Sequence, residues 1–228
     1  MTLVVDIETV PTDAHRDAVR AEPYPTFSAP SNYKDPVKIA ESIKAQAEAW
    51  LAGHEQRIAE GALDPRTGRI VCLGLDGIAD LSLQVVPTIT EADERFTLGT
   101  LWSEIARVSG RVVTFNGSFD LRFLVIRSLI LGVKPTILPR TIRDWFRRYT
   151  MHPHFDCRAV LTNWDDRQKG TLGDWCKVLG IPHDDTVKGA DVYGLYQAEN
   201  FDAIAAHCRS DCAATAALYA KLAPFYDD

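Results

Sequence analysis

Leu3-Val-Val-Asp-Ile-Glu-Thr-Val-Pro11 sets two carboxylates into what otherwise reads as a buried β-strand. Side chains alternate across an extended chain, so Asp6 and Glu8 share one face while Leu3, Val5 and Ile7 share the other. Either the acidic face is wet or the pair holds something positive. Read as buried, such a strand belongs inside a sheet, and the rest of the chain has to decide between the two.

The remainder of the chain can supply such a sheet. With 228 residues and 46% hydrophobic content it can bury a sizeable core, and its length fits one large domain. Residues 1–228 are expected to form that domain, with an insertion or lid at about 11–66. A formal net charge of −6 argues against binding nucleic acid by bulk electrostatics, although local basic patches remain open. Cys72, Cys157, Cys176, Cys208 and Cys212 are odd in number, lie in apolar contexts and form no CxxC pair. They read as reduced core thiols, and His207 beside Cys208 and Cys212 lacks the second ligand pair of a zinc site. No run approaches the roughly 18 apolar residues of a membrane span, and no leader-like segment opens the chain, so a cytoplasmic protein is expected.

Residues 11–36 hold five prolines among polar and aromatic residues and read as a loop or lid. From Pro36 to about Glu60, apolar residues recur at three- and four-residue steps, which predicts a helix. Arg69–Leu75 and Leu81–Val86 flank an Asp76-Gly77 turn signal and predict a hairpin. A helix capped by Thr90 is expected over 91–108, a strand over 111–115, and a helix over 119–131 ending at Gly132. Helices are expected at about 139–149, 171–179, 189–198 and 201–222, the last with an apolar face of Ala206, Ala213, Ala214 and Leu218. Strands first and helices later describe an α/β fold, a mixed sheet flanked by helices.

Two later acids occupy telling places. Asp120, in Asn116-Gly-Ser-Phe-Asp120, follows a strand's carboxyl end at a helix start, where ligand sites of open α/β sheets lie; an early-helix acid favoured by the dipole is the plainer alternative. His207 and Asp211, in His207-Cys-Arg-Ser-Asp211, are four apart and share one helix face.

Taken together, "DIET", "FNGSFD" and "HCRSD" resemble the three motifs of the DEDD superfamily of 3′-to-5′ exonucleases, whose fold is ribonuclease-H-like. Order, element placement and length fit over nearly the whole chain. Within the superfamily it looks most like stand-alone exonucleases related to the proofreading domain of family B DNA polymerases. The departure is His207, which has the Tyr-x3-Asp spacing of one branch and the histidine of the other, whose motif is His-x4-Asp.

The resemblance implies phosphodiester hydrolysis assisted by two divalent ions, Mg²⁺ or Mn²⁺, about 4 Å apart, which hard oxygen ligands favour. Asp6 would bridge both ions, Glu8 and Asp211 would help hold the water-activating one, and Asp120 would serve the second. His207 becomes the candidate to orient or deprotonate water, with a displaced, noncatalytic ring as the alternative. Thr9 and Val10 are candidates for touching the terminal nucleotide, or for plain strand packing. Asn116 and Phe119 are candidates for the penultimate nucleotide, or for capping and packing. Arg140, Arg143 and Arg147 form one basic helical face that either binds phosphate or is merely solvated. Lys188 is a further candidate for the strand, with a turn lysine as the alternative. Asp156 is read as structural or supporting, and His152, His154 and His183 as surface or capping residues. The implied partner is single-stranded nucleic acid with a free 3′ end, DNA favoured over RNA, and the product a nucleoside 5′-monophosphate. A noncatalytic binding module on the same fold and a related endonuclease are the competing readings.

Overall fold

The computed structural model describes residues 2–77, 90–165, 167–168 and 170–226. The second arm of the expected hairpin, Leu81–Val86, lies outside the described residues.

Strand β1 (Leu3–Pro11) is the hub of a four-stranded sheet ordered β2-β1-β3-β4. It pairs antiparallel with β2 (Gly68–Asp76) and parallel with β3 (Val112–Thr114), which pairs parallel with β4 (His154–Asp156). The mixed sheet flanked by helices is the α/β architecture read from the sequence.

The alternation along β1 separates two layers. Leu3, Val5 and Ile7 pack with Leu98, Leu101 and Trp102 of α3 (Glu91–Arg107) and Leu121 and Leu124 of α4 (Gly117–Leu131). On the opposite face, Val4 joins a cluster built on α6 (Cys157–Leu161), α7 (Leu172–Leu179) and α9 (Phe201–Tyr226). Val10 joins another, with Ile58, Val192, Tyr193, Ile204 and Cys208. Asp6 and Glu8 therefore occupy the seam between two apolar clusters. Opposite them, the register slips between Glu8, paired with Cys72, and Thr9, paired with Ile70. This leaves Val71 as an extra residue of β2, and both Val71 and Cys72 turn to the Val10 side.

The helix boundaries follow local chemistry. Thr90 and Asp93 form a reciprocal cap on α3, Thr171 and Asp174 do the same for α7, and Gly132 closes α4 in the left-handed region at φ 68°. The segment expected to be a loop contains a helix, α1 (Asp13–Arg20), started by the Thr12 side chain. Pro11 precedes this helix and the other four prolines follow it, so nothing opposed helix formation over those eight residues. Helix α2 (Pro36–Glu60) begins on an Asp35 cap with Pro36 in its first turn. Two short elements escaped the sequence reading: β4 has three residues and α6 has five, too few to show a period. Helix α5 (Pro139–Trp145) and α8 (Val192–Gln197) are shorter than expected. On α9, Ala206 and Ala213 are exposed; the buried face is Ile204, Cys208, Cys212, Ala214, Leu218 and Leu222.

Candidate active site

A cleft opens where β1, the start of α4, the α7–α8 connection and α9 converge. Asp6, Glu8, Asp120, His207 and Asp211 all line it, together with Thr9, Asn116, Phe119, His183 and Lys188. Each acid is delivered by a distinct piece of local structure. Strand alternation aims Asp6 and Glu8 the same way. Asp120 sits in the first turn of α4, its backbone N–H bonded to Asn116 O at 3.2 Å. Helical spacing places His207 and Asp211 on one face of α9.

What lets α9 reach the sheet is Gly74, opposite Asp6. A Cβ there would lie 2.5 Å from Cys212 Sγ and 2.8 Å from Cys208 Sγ. The missing side chain is the space the two thiols fill. All five cysteines are free and buried, as read from sequence. The structure adds that ligand atoms of Asp6, Cys208 and Cys212 lie within 4.8 Å of one another.

The ring of His207 lies between two carboxylates, with Nε2 3.4 Å from Glu8 Oε1 and Nδ1 3.6 Å from Asp211 Oδ1. The three-residue spacer thus leaves the ring in the cluster, not displaced from it. Asp211 Oδ1 also meets His183 Nε2 at 2.9 Å. His183 was expected at the surface, yet its side chain is 6% exposed. Its partner is 28 positions away, so no local pattern could have announced it.

Burial makes the carboxyls of Asp6, Glu8 and Asp120 hard to ionise. Asp6 is pushed up to about 8, first by burial and then by Asp211. Glu8 is raised well above the usual range by burial, then by Asp6 and Asp211; Asp120 is raised by burial, then by Asp6 and Asp156. Asp6 Oδ2 is buried with no hydrogen-bond partner among the described residues. Crowded carboxylates with an orphaned oxygen fit a divalent cation, and Glu8, His207 and Asp211 bring ligand atoms within 4.8 Å of one another.

Other expected contacts are redistributed. Val10 is fully buried in the core and does not reach the cleft, because the strand's acid-bearing face closes under α8 and α9 beyond Glu8. Thr9 lines the cleft, but its hydroxyl donates to Ala62 O at 2.8 Å. Ala62 and Leu63 also line the cleft, so the 11–66 segment supplies part of its wall. Lys188 reaches the cleft, with Nζ 3.8 Å from Asp185 Oδ2. Arg140 and Arg143 are exposed on α5 and line neither this cleft nor its neighbour, whereas Arg147 lines the neighbour. Asp156 accepts from Gly117 N–H at 2.9 Å and Ala159 N–H at 2.8 Å, so it caps two helices. Of the surface or capping role expected for His154 the structure shows the second: it is buried, bonded to Thr114 Oγ1 at 2.9 Å and to the O of Trp145, the last residue of α5, at 3.1 Å.

A search of curated proteins returned no match. A family model described as a predicted 3′-5′ exonuclease related to the exonuclease domain of PolB matches residues 66–227. The match contains Asp120, His207 and Asp211; the fold adds Asp6 and Glu8 to them from outside it. The chain belongs to this family of predicted 3′-5′ exonucleases.

Proposed function

We propose that the protein is a metal-dependent 3′-to-5′ exonuclease that removes nucleoside 5′-monophosphates from single-stranded nucleic acid, DNA in preference to RNA. The observation that carries this reading is the convergence of Asp6, Glu8, Asp120 and Asp211 on one cleft, with their carboxyls pressed together and one oxygen unsatisfied. Asp6, Glu8, Asp120 and Asp211 would hold two Mg²⁺ or Mn²⁺ ions. Bound there, such ions neutralise the scissile phosphate, lower the pKa of water and stabilise the departing 3′ oxygen.

The chain's own residues supply the rest. His207, held between Glu8 and Asp211, is the base that takes the proton of the attacking water. His183, whose Nε2 lies 2.9 Å from the same Asp211 oxygen that His207 faces, limits that carboxylate's freedom to swing. Phe119 and Asn116 flank Asp120 at the cleft wall, where they meet the last bases, and Lys188 offers the one cation on the opposite rim among the described lining residues. The preference for DNA rests on the kinship to PolB.

The test is a 5′-labelled oligonucleotide incubated with Mg²⁺ or Mn²⁺. Stepwise shortening from the 3′ end is expected, with Asp6→Asn lowering kcat at least about a thousandfold and His207→Ala about a hundred- to ten-thousandfold. Undiminished cutting by Asp6→Asn overturns the assignment. Binding without cutting by the wild type supports the noncatalytic reading, and cleavage of a circular strand the endonuclease.

A further inference from the structure

Beside the acidic cleft lies a second one, and the two meet at Asn116. The second cleft is lined by Arg147, Arg148 and Arg158 together with Phe146 and Trp164. Its charge is out of character for the molecule: residues 139–158 carry five arginines against two aspartates in a chain of net charge −6. Asp156 also lines it, but both its oxygens accept backbone N–H groups.

The arginines differ in how they are held. Arg148 donates to Trp164 O and lies over the Tyr149 ring at 5.7 Å. This anchors the turn and leans Trp164 against Tyr149, their ring centroids 5.2 Å apart. Arg147 is exposed, its nearest acid being Asp144 at 3.9 Å. Arg158 makes no side-chain hydrogen bond among the described residues. Two guanidiniums with spare donors next to an exposed Phe146 are the pairing that holds single strands: charge for the backbone and a ring for a base.

The helix start at the boundary between the clefts is tightly packed. Gly117, the first residue of α4, has no room for a side chain: a Cβ would fall 2.2 Å from the His154 ring and 2.7 Å from Thr114 Oγ1. That packing fixes the start of α4 beside Asn116, the residue that lines both clefts.

We infer that this second cleft is an upstream subsite, in which Arg147 and Arg158 grip an internucleotide phosphate of the substrate strand while Phe146 and Trp164 receive a base. This assignment rests on the proposed exonuclease reading and extends it. A strand whose 3′ end lies among Asp6, Glu8, Asp120 and Asp211 crosses Asn116 and continues over α5. Short substrates that end before Asn116 do not feel the arginines.

The experiment compares a single-stranded decamer with a dinucleotide, using wild type, Arg147→Ala/Arg158→Ala and the corresponding double lysine variant. For the alanine pair, KM for the decamer rises about tenfold with kcat within twofold, while kcat/KM for the dinucleotide stays within twofold. The slope of log affinity against log salt, from fluorescence anisotropy of the decamer, becomes shallower by about 0.7 for each phosphate that the variant no longer neutralises. Lysine restores part of the affinity. Equal losses on both substrates, or none on the decamer, overturn the subsite. If the wild type cuts neither substrate, the exonuclease reading fails separately and the anisotropy measurement decides the subsite. Unchanged decamer affinity in a folded alanine pair, checked by thermal melting, rejects it.

Discussion

Glu8 faces the carboxyls of Asp6 and Asp211 and the ring of His207 while almost fully buried, so its charge is costly unless a cation offsets it. The same holds for Asp6, raised from 3.8 to about 8 by burial and then by Asp211. A raised pKa means that the folded state keeps protons that the unfolded chain has released. Between about pH 4 and 8 the fold therefore loses stability as pH rises. In EDTA, Asp6→Asn is expected to melt progressively above the wild type as pH increases from 5 to 8.5, the two converging at the acid end. Saturating Mg²⁺ should stabilise the wild type, most strongly at the alkaline end, and Asp6→Asn much less. A constant difference across pH contradicts the crowding argument. At this scale the sequence was readable where chemistry is local. "DIET" declares its two acids by strand alternation, and His207 and Asp211 by helical spacing. For Val10 the strand-packing alternative holds, and the burial of His183 escaped the sequence because burial is decided by what packs from far along the chain.

Helix α9 owes its position to an absence, since Gly74 leaves the hollow in β2 that Cys208 and Cys212 fill. Gly74→Ala is expected to cost about 1–3 kcal/mol in chemical denaturation. It should reduce cleavage by more than that loss explains, because His207 and Asp211 move with the helix. On the other face, Glu94 and Arg127 form a buried two-point ion pair, 2.9 Å and 2.7 Å, and Glu94 also accepts from Ile70 N–H at 3.0 Å. The pair ties β2, α3 and α4 together. Glu94→Ala leaves a buried guanidinium alone, and about 3–5 kcal/mol of destabilisation is expected. Replacing both partners with apolar residues of similar volume should recover much of it, as urea titrations would show. Long elements such as α2, α3, α4 and α9 were legible because they span several turns and carry caps. Helix α1 was hidden by its proline-rich neighbourhood, and β4 by having only His154, Phe155 and Asp156 to display.

The whole molecule is a sheet with its chemistry gathered on one side of its central strand. Asp6 O and Cys208 Sγ come to 4.0 Å across 202 positions of chain. The loop such a contact closes is long, so its closure costs more chain entropy than that of a local contact. The α/β class was legible from the order of strands and helices, whereas the seating of α9 on β1 and β2 came from motif order alone, since no local pattern encodes a contact at that range. This closure has a consequence for the making of the protein. A chain still on the ribosome exposes Asp6 and Glu8 long before α9 has been synthesised. When only α9 is missing, Asp6, Glu8 and Asp120 are already present but His207 and Asp211 are not, so under the proposed exonuclease reading the nascent chain lacks part of its site. Under that reading a product interrupted before α9 is expected not to cut.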